Sequence, residues 1–135
     1  KFYSLNDSKG NPLDNKLDIL FNHKKNGFYI ELGAFDGITQ SNSYFFELNR
    51  NWTGLLIEPS KNSFDLCCKN RPNSIVVNGC CVSNDYTKDT ILGDFNSTLM
   101  SSVNGNRLKS KNLIAVKAMT LEKTLDDNHI NVVFI

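Results

Sequence analysis

Ten residues, Phe28-Tyr29-Ile30-Glu31-Leu32-Gly33-Ala34-Phe35-Asp36-Gly37, constrain this chain more than any others. An apolar and aromatic run reaches an acid, and a loop with two glycines follows at once. Beyond it, Thr39-Gln40-Ser41-Asn42 opens a run over residues 43–49 that reads as a helix. A strand, a glycine turn and a helix start place a ligand at the carboxyl end of the first strand of an α/β sheet. The loop is no phosphate cradle. The dinucleotide pattern Gly-x-Gly-x-x-Gly is not met, with Glu31 in its first glycine position, and the Gly-Lys-Ser/Thr ending of a Walker loop is absent. Glu31 and Asp36 put two carboxylates in or beside the loop, which repel a pyrophosphate and suit a ligand carrying positive charge.

The second half of the signal lies downstream. Asn51-Trp52-Thr53-Gly54 reads as a turn, Leu55-Leu56-Ile57 as a short apolar strand, and Glu58-Pro59 as its end. Proline cannot continue a central strand, so Glu58 is left at the strand tip. An acid there accepts hydrogen bonds from ribose hydroxyls in nucleotide-binding α/β folds. Glu58 follows Glu31 by 27 positions (58 − 31), somewhat more than the roughly 20 of the dinucleotide motif. A ribose ligand with cationic groups is therefore expected, and S-adenosylmethionine, with its ammonium and sulfonium, is such a ligand.

With 135 residues, 40% hydrophobic and 21% charged, the chain has the composition of one soluble globular domain over 1–135, small for a complete doubly wound enzyme. A net charge of +1 gives no electrostatic case for nucleic acid. No apolar run approaches the ~18 residues of a membrane span. The chain opens on Lys1 rather than Met, which reads as a piece of a longer chain with further domains. The four cysteines fall as adjacent pairs, Cys67-Cys68 and Cys80-Cys81, and never as Cys-x-x-Cys. Buried free thiols in a reducing, cytoplasmic setting are expected, and no metal site.

Leu13, Leu17, Leu20 and Phe21 have helical spacing, and predict a helix over 13–25 that covers one face of the sheet. Tyr44, Phe45, Phe46 and Leu48 give the next helix a core-facing cluster. Residues 62–70 read as a third helix with Phe64, Leu66, Cys67 and Cys68 inward. Residues 74–78 read as a β-branched, buried parallel strand. The order α-β-α-β-α-β implies a parallel sheet with right-handed crossovers. Residues 90–95 and 112–118 read as antiparallel strands, and 96–111 as a long polar flap or disordered loop. Thr120 is expected to cap a short helix ending near Asp127, and 131–135 to be a fourth core strand inside which the chain breaks off.

Together these pieces resemble the FkbM family of S-adenosylmethionine-dependent methyltransferases. The resemblance rests on residues 27–37, Ser41-Asn42-Ser43-Tyr44-Phe45-Phe46-Glu47, Trp52-Thr53-Gly54-Leu55-Leu56-Ile57-Glu58-Pro59, residues 75–83 and Thr120-Leu121-Glu122 with 132–135. It implies a Rossmann-like α/β fold, helices on both sheet faces, and O-methylation of a hydroxyl on a sugar, glycan or small molecule. It further implies that Glu31, Gly33, Ala34, Asp36 and Gly37 shape the methionine pocket. Ser41 and Asn42 would hold the cofactor's carboxylate at a helix start, Glu58 and Pro59 would lie at the ribose, and residues 78–83 near the adenine. The family's acidic motif after its fourth strand is missing.

Two other readings stand beside this one. A non-catalytic module that binds cofactor or a partner chain shares every feature above, and an NAD-dependent oxidoreductase shares the fold and Glu58 but not the acidic loop. His23 and His129 are the only histidines available as a base, and both are expected at the surface away from the cofactor.

Overall fold

Strand β1 (Phe28–Leu32), strand β2 (Thr53–Glu58) and strand β3 (Ile75–Asn78) run parallel in the order β1-β2-β3. The structure, a computed structural model, describes residues 1–96, 103 and 112–132. Helix α2 (Tyr44–Arg50) crosses from β1 to β2, and helix α3 (Lys61–Asn70) from β2 to β3. Ahead of them lies α1 (Leu13–Leu20). The molecule is thus mixed α/β, with a three-stranded parallel sheet in the alternating order expected.

The register pairs Ile30 with Leu55 and Leu32 with Ile57 across β1 and β2. Strand alternation then sends Leu55 and Ile57 to one face and Leu56 and Glu58 to the other. β2 is buried throughout after Thr53, as the central strand of the sheet. Among the described residues β1 is an edge, and its Phe28, Ile30 and Leu32 are exposed. β3 is less enclosed than its β-branched sequence predicts, with Ile75 exposed at the other edge.

Past Gly79 the chain enters a second sheet. β4 (Cys80–Cys81) pairs in parallel with β6 (Ile114–Met119), and β6 pairs antiparallel with β5 (Thr90–Gly93). Helix α4 (Leu121–Asp127) follows, with Thr120 Oγ1 accepting the Lys123 N–H at 3.1 Å, as its cap was expected to do. Leu121, Leu125 and Ile130 of this segment pack with Met119, Leu55 and Ile57. On the opposite face, Cys67 of α3 packs with Leu56 and Ala34. Helical segments therefore lie on both faces of the first sheet.

Several expectations are corrected. α1 ends at Leu20, and it buries Asp14 and Asp18 while Leu13, Leu20 and Phe21 stay exposed. It packs chiefly on α2, with Leu17 in the aromatic cluster of Phe45, Phe46 and Trp52, and its buried acids have partners. Asp14 accepts Tyr3 N–H at 2.7 Å and Ser4 Oγ at 2.8 Å, and Asp18 binds Arg50 through Nε at 2.7 Å and Nη2 at 2.6 Å. On α3, Leu66 and Cys68 are exposed, and Ser63 and Cys67 face inward four positions apart. All four cysteines are free, but only Cys67 is fully buried, which pushes its thiol up to about 12. Leu48 is exposed, while Phe45 and Phe46 are core beside Trp52. Asn131 and Val132 are not in a strand, and 133–135, the rest of the expected fourth strand, lie outside the described residues. So does the expected flap at 96–111, apart from Asn96 and Val103. Among the described residues no helix is long and apolar enough to cross a membrane.

Candidate functional site at the carboxyl ends of β1 and β2

The loop after β1 stays fastened to β2: Gly33 and Ala34 donate their N–H groups to the Ile57 carbonyl at 2.8 and 3.2 Å. It turns at Gly33 (φ +74°), Phe35 (φ +51°) and Gly37 (φ +82°), all in the left-handed region. A bulky residue rarely sits there, and such conformations concentrate at ligand sites. Phe35 is held by its N–H, which donates to Glu58 Oε2 at 2.7 Å. Asp36 closes the turn, accepting Ile38 N–H at 2.9 Å on Oδ1 and Thr39 Oγ1 at 2.7 Å on Oδ2. Burial opposes ionisation of Asp36, but these bonds outweigh it and hold the carboxyl below its ordinary range.

A cavity of about 540 Å³ opens along β1 and this loop, with Glu31, Gly33, Ala34, Phe35, Thr39 and Asn42 among its walls. Aromatic and apolar side chains on or beside α1, β1 and α2 supply most of the rest, including Phe21, Phe28, Phe46 and Trp52. A second cavity of about 540 Å³ lies beyond the tips of β2 and β3, against Pro59, Ser60, Lys61, Asn62 and Asn78. Glu58 stands between their walls. Its Oε2 takes the Phe35 N–H, and its Oε1 takes the Ser60 N–H at 2.8 Å. Glu58 is only 4% exposed, and that burial pushes its carboxyl up, more than the two N–H bonds pull it down.

Glu31 is the last but one residue of β1, and its carboxylate reaches the start of α2. It accepts Ser41 Oγ at 3.0 Å, Asn42 N–H at 3.2 Å and Ser43 Oγ. The Ser41-Asn42 segment expected to hold a ligand's carboxylate thus already donates to a carboxylate of the chain. Of the nine residues expected at the site, Glu31, Gly33, Ala34 and Asn42 line the first cavity and Pro59 the second. Asp36, Gly37, Ser41 and Glu58 stand behind the walls and shape them. His23 and His129 are elsewhere. His23 Nδ1 lies 2.7 Å from Asp18 Oδ2, and His129 is exposed after α4.

Behind the loop is a buried cluster that the sequence reading missed. Arg71, at the end of α3, is 0% exposed. Its Nε donates to Glu47 Oε2 at 2.6 Å, Nη1 to the Gly37 carbonyl at 2.8 Å, and Nη2 to Ser43 Oγ at 2.9 Å and Tyr29 Oη at 2.5 Å. Tyr29 Oη and Ser74 Oγ also donate to Glu47, at 2.6 and 2.9 Å. Burial opposes the charge on Glu47, but these donors and Arg71 hold its carboxyl below the usual range. The sequence signal was Glu47 itself, an acid inside the aromatic run of α2. Four carboxylates (Glu31, Asp36, Glu47 and Glu58) thus surround the first cavity's loop against one buried cation, Arg71. That balance favours a cationic ligand. Compared with family models, with curated proteins and with solved structures, the chain finds no match in any of the three.

Proposed function

We propose that the chain is a Rossmann-like domain that binds S-adenosylmethionine and serves O-methyl transfer to a hydroxyl of a sugar, glycan or small molecule in the cytoplasm. The carrying observation is Glu58, which fastens the wall of one cavity with one carboxylate oxygen and the wall of a second with the other. A nucleoside with a charged amino-acid tail matches that layout. The tail fits beside Glu31 and Gly33, the ribose over Glu58, and the base toward Asn78. Each carboxylate oxygen of Glu58 has a second lone pair beyond its one backbone bond.

The residues fit such a group. A Cβ added at Gly33 would meet nothing within 4 Å, so the turn's backbone is open to a ligand. Both cavities fall in the roughly 300–1,000 Å³ range of small-molecule sites. The cofactor supplies a methyl group on a sulfonium, and the chain's part is to bind and align it. Glu31, Gly33 and Ala34 would hold the tail, and Glu58 the ribose hydroxyls. The acidic surroundings repel the pyrophosphate of NAD, which makes an oxidoreductase the weaker reading. A non-catalytic cofactor-binding module is the second reading. It is favoured by the position of His23 and His129, neither of which lines either cavity.

Calorimetry with S-adenosylmethionine, S-adenosylhomocysteine and NAD tests the assignment. Binding of the two sulfur nucleosides is expected, weakened about tenfold or more by Glu58→Gln through loss of charge-assisted bonds. NAD binding with no response to either sulfur nucleoside sinks it. Methyl transfer from labelled cofactor to a panel of glycans and small alcohols then separates the enzyme from the module.

A further inference from the structure

We propose that Arg71 is the positioning residue of this site, setting the curvature of the 35–41 loop and the orientation of the Glu31 carboxylate from behind the cavity wall. The loop part of the proposal stands on geometry alone. Its effect on affinity rests on the cofactor reading above.

A buried arginine present only to neutralise an acid needs one partner, and Glu47 is that partner at 2.6 Å. Arg71 does more. Nη1 takes the Gly37 carbonyl at 2.8 Å and reaches Ser41 Oγ at 3.3 Å, and Nη2 takes Ser43 Oγ at 2.9 Å. Ser41 and Ser43 are the hydroxyls that donate to Glu31, so the guanidinium fixes Glu31 through them and stands 3.8 Å from its Oε2. The neighbouring Asn70 donates from Nδ2 to the Asp36 carbonyl at 2.8 Å. Two consecutive residues at the end of α3 thereby hold two consecutive carbonyls of the loop. The guanidinium carbon stands 5.2 Å from the ring centroids of both Tyr29 and Tyr44. A planar fork with five donors meets these partners at once, whereas a lysine ammonium has three donors at one point.

Arg71→Lys is the informative variant, because it keeps the charge beside Glu47 and removes the fork. Amide exchange and binding of S-adenosylhomocysteine are measured on the same protein. The Gly37, Ile38 and Asn42 amides are expected to exchange about tenfold faster, with the Leu55 and Leu56 amides of β2 unchanged. Affinity for S-adenosylhomocysteine is expected to fall about tenfold. Loop and β2 amides accelerating together would reduce Arg71 to a stabilising ion pair and overturn the proposal, as would no change in either. If Arg71→Lys does not fold, Arg71→Met with Glu47→Gln removes the buried cation and anion together and is read the same way. Should the unaltered protein bind neither sulfur nucleoside, the cofactor reading fails, and the exchange data alone decide the role of Arg71.

Discussion

The two faces of the parallel sheet are held by different physics. On one, Leu55 and Ile57 meet Met119, Val77, Leu121, Leu125 and Ile130, an apolar contact set with no direction built into it. On the other, beside the aromatic cluster of Phe45, Phe46 and Trp52 and the small one of Ala34, Leu56 and Cys67, lie Arg71, Glu47, Tyr29 and Ser74, each fixed by bonds of defined length and angle. Apolar burial makes the sheet stable but leaves many arrangements of nearly equal energy. Directional bonds add little net stability and select one arrangement. The loop that shapes the candidate site is bonded to the side where arrangement matters.

The comparison breaks most sharply at Arg71. Truncation to Ala leaves Glu47 buried with no cation, and should cost about 4 kcal/mol in chemical unfolding. Replacing Arg71 and Glu47 together by Met should cost far less, since a buried pair exchanged for apolar groups is often neutral. A double variant as unstable as Arg71→Ala would show that this face stabilises as the other does. Next in size is Leu55→Ala on the apolar face, expected to cost about 3 kcal/mol in the same assay. It should leave exchange at Gly37 and Ile38 no faster than elsewhere in the protein. Selective loosening of that loop would erase the distinction between faces.

The smallest effect concerns two acids on the polar face. The Glu47 carboxyl lies below its ordinary 4.5 and the Glu58 carboxyl above it. For Glu47 the unfolded chain takes up the proton first, so its contribution is present above about pH 4.5 and lost as pH falls through its folded value. For Glu58 the folded protein takes up the proton first. Its contribution is full at low pH and lost as pH rises from about 4.5 through the raised value. Against Glu58→Gln as reference, wild type should therefore lose relative stability from pH 4 to 7, followed by urea unfolding at each pH. A difference that grows in wild type's favour over that range would place Glu58 with Glu47.

How far the sequence could be read follows the same division. Strands β1 to β3 and the turn at Gly33 were readable because apolar runs and glycines are local signals. Their boundaries moved by only a few residues. The buried face of α1 was not. Its leucines have helical spacing, yet Asp14 and Asp18 go inward because Ser4 and Arg50, distant in sequence, meet them there. Arg71 was opaque for the same reason. A basic residue just past a helix and before Pro72 reads as a solvated end, and its partners lie 24 to 42 positions away. Glu58 was placed correctly at the strand tip, but no sequence pattern says that both its oxygens meet backbone N–H groups of flanking loops.

Gly37 gives the cluster an evolutionary consequence. A Cβ there would stand 2.7 Å from Arg71 Cγ and 3.0 Å from Cys67 Sγ, on a backbone at φ +82°. The glycine is thus tied to a side chain 34 positions away as well as to its own turn. Drift at position 37 is closed while Arg71 stands. Shortening position 71 would lift the larger part of the steric restriction, leaving the Cys67 contact and the turn's preference for glycine. Descendants of this sequence should therefore change the two positions in a fixed order, 71 before 37, and a lineage that kept Arg71 should keep the glycine with it.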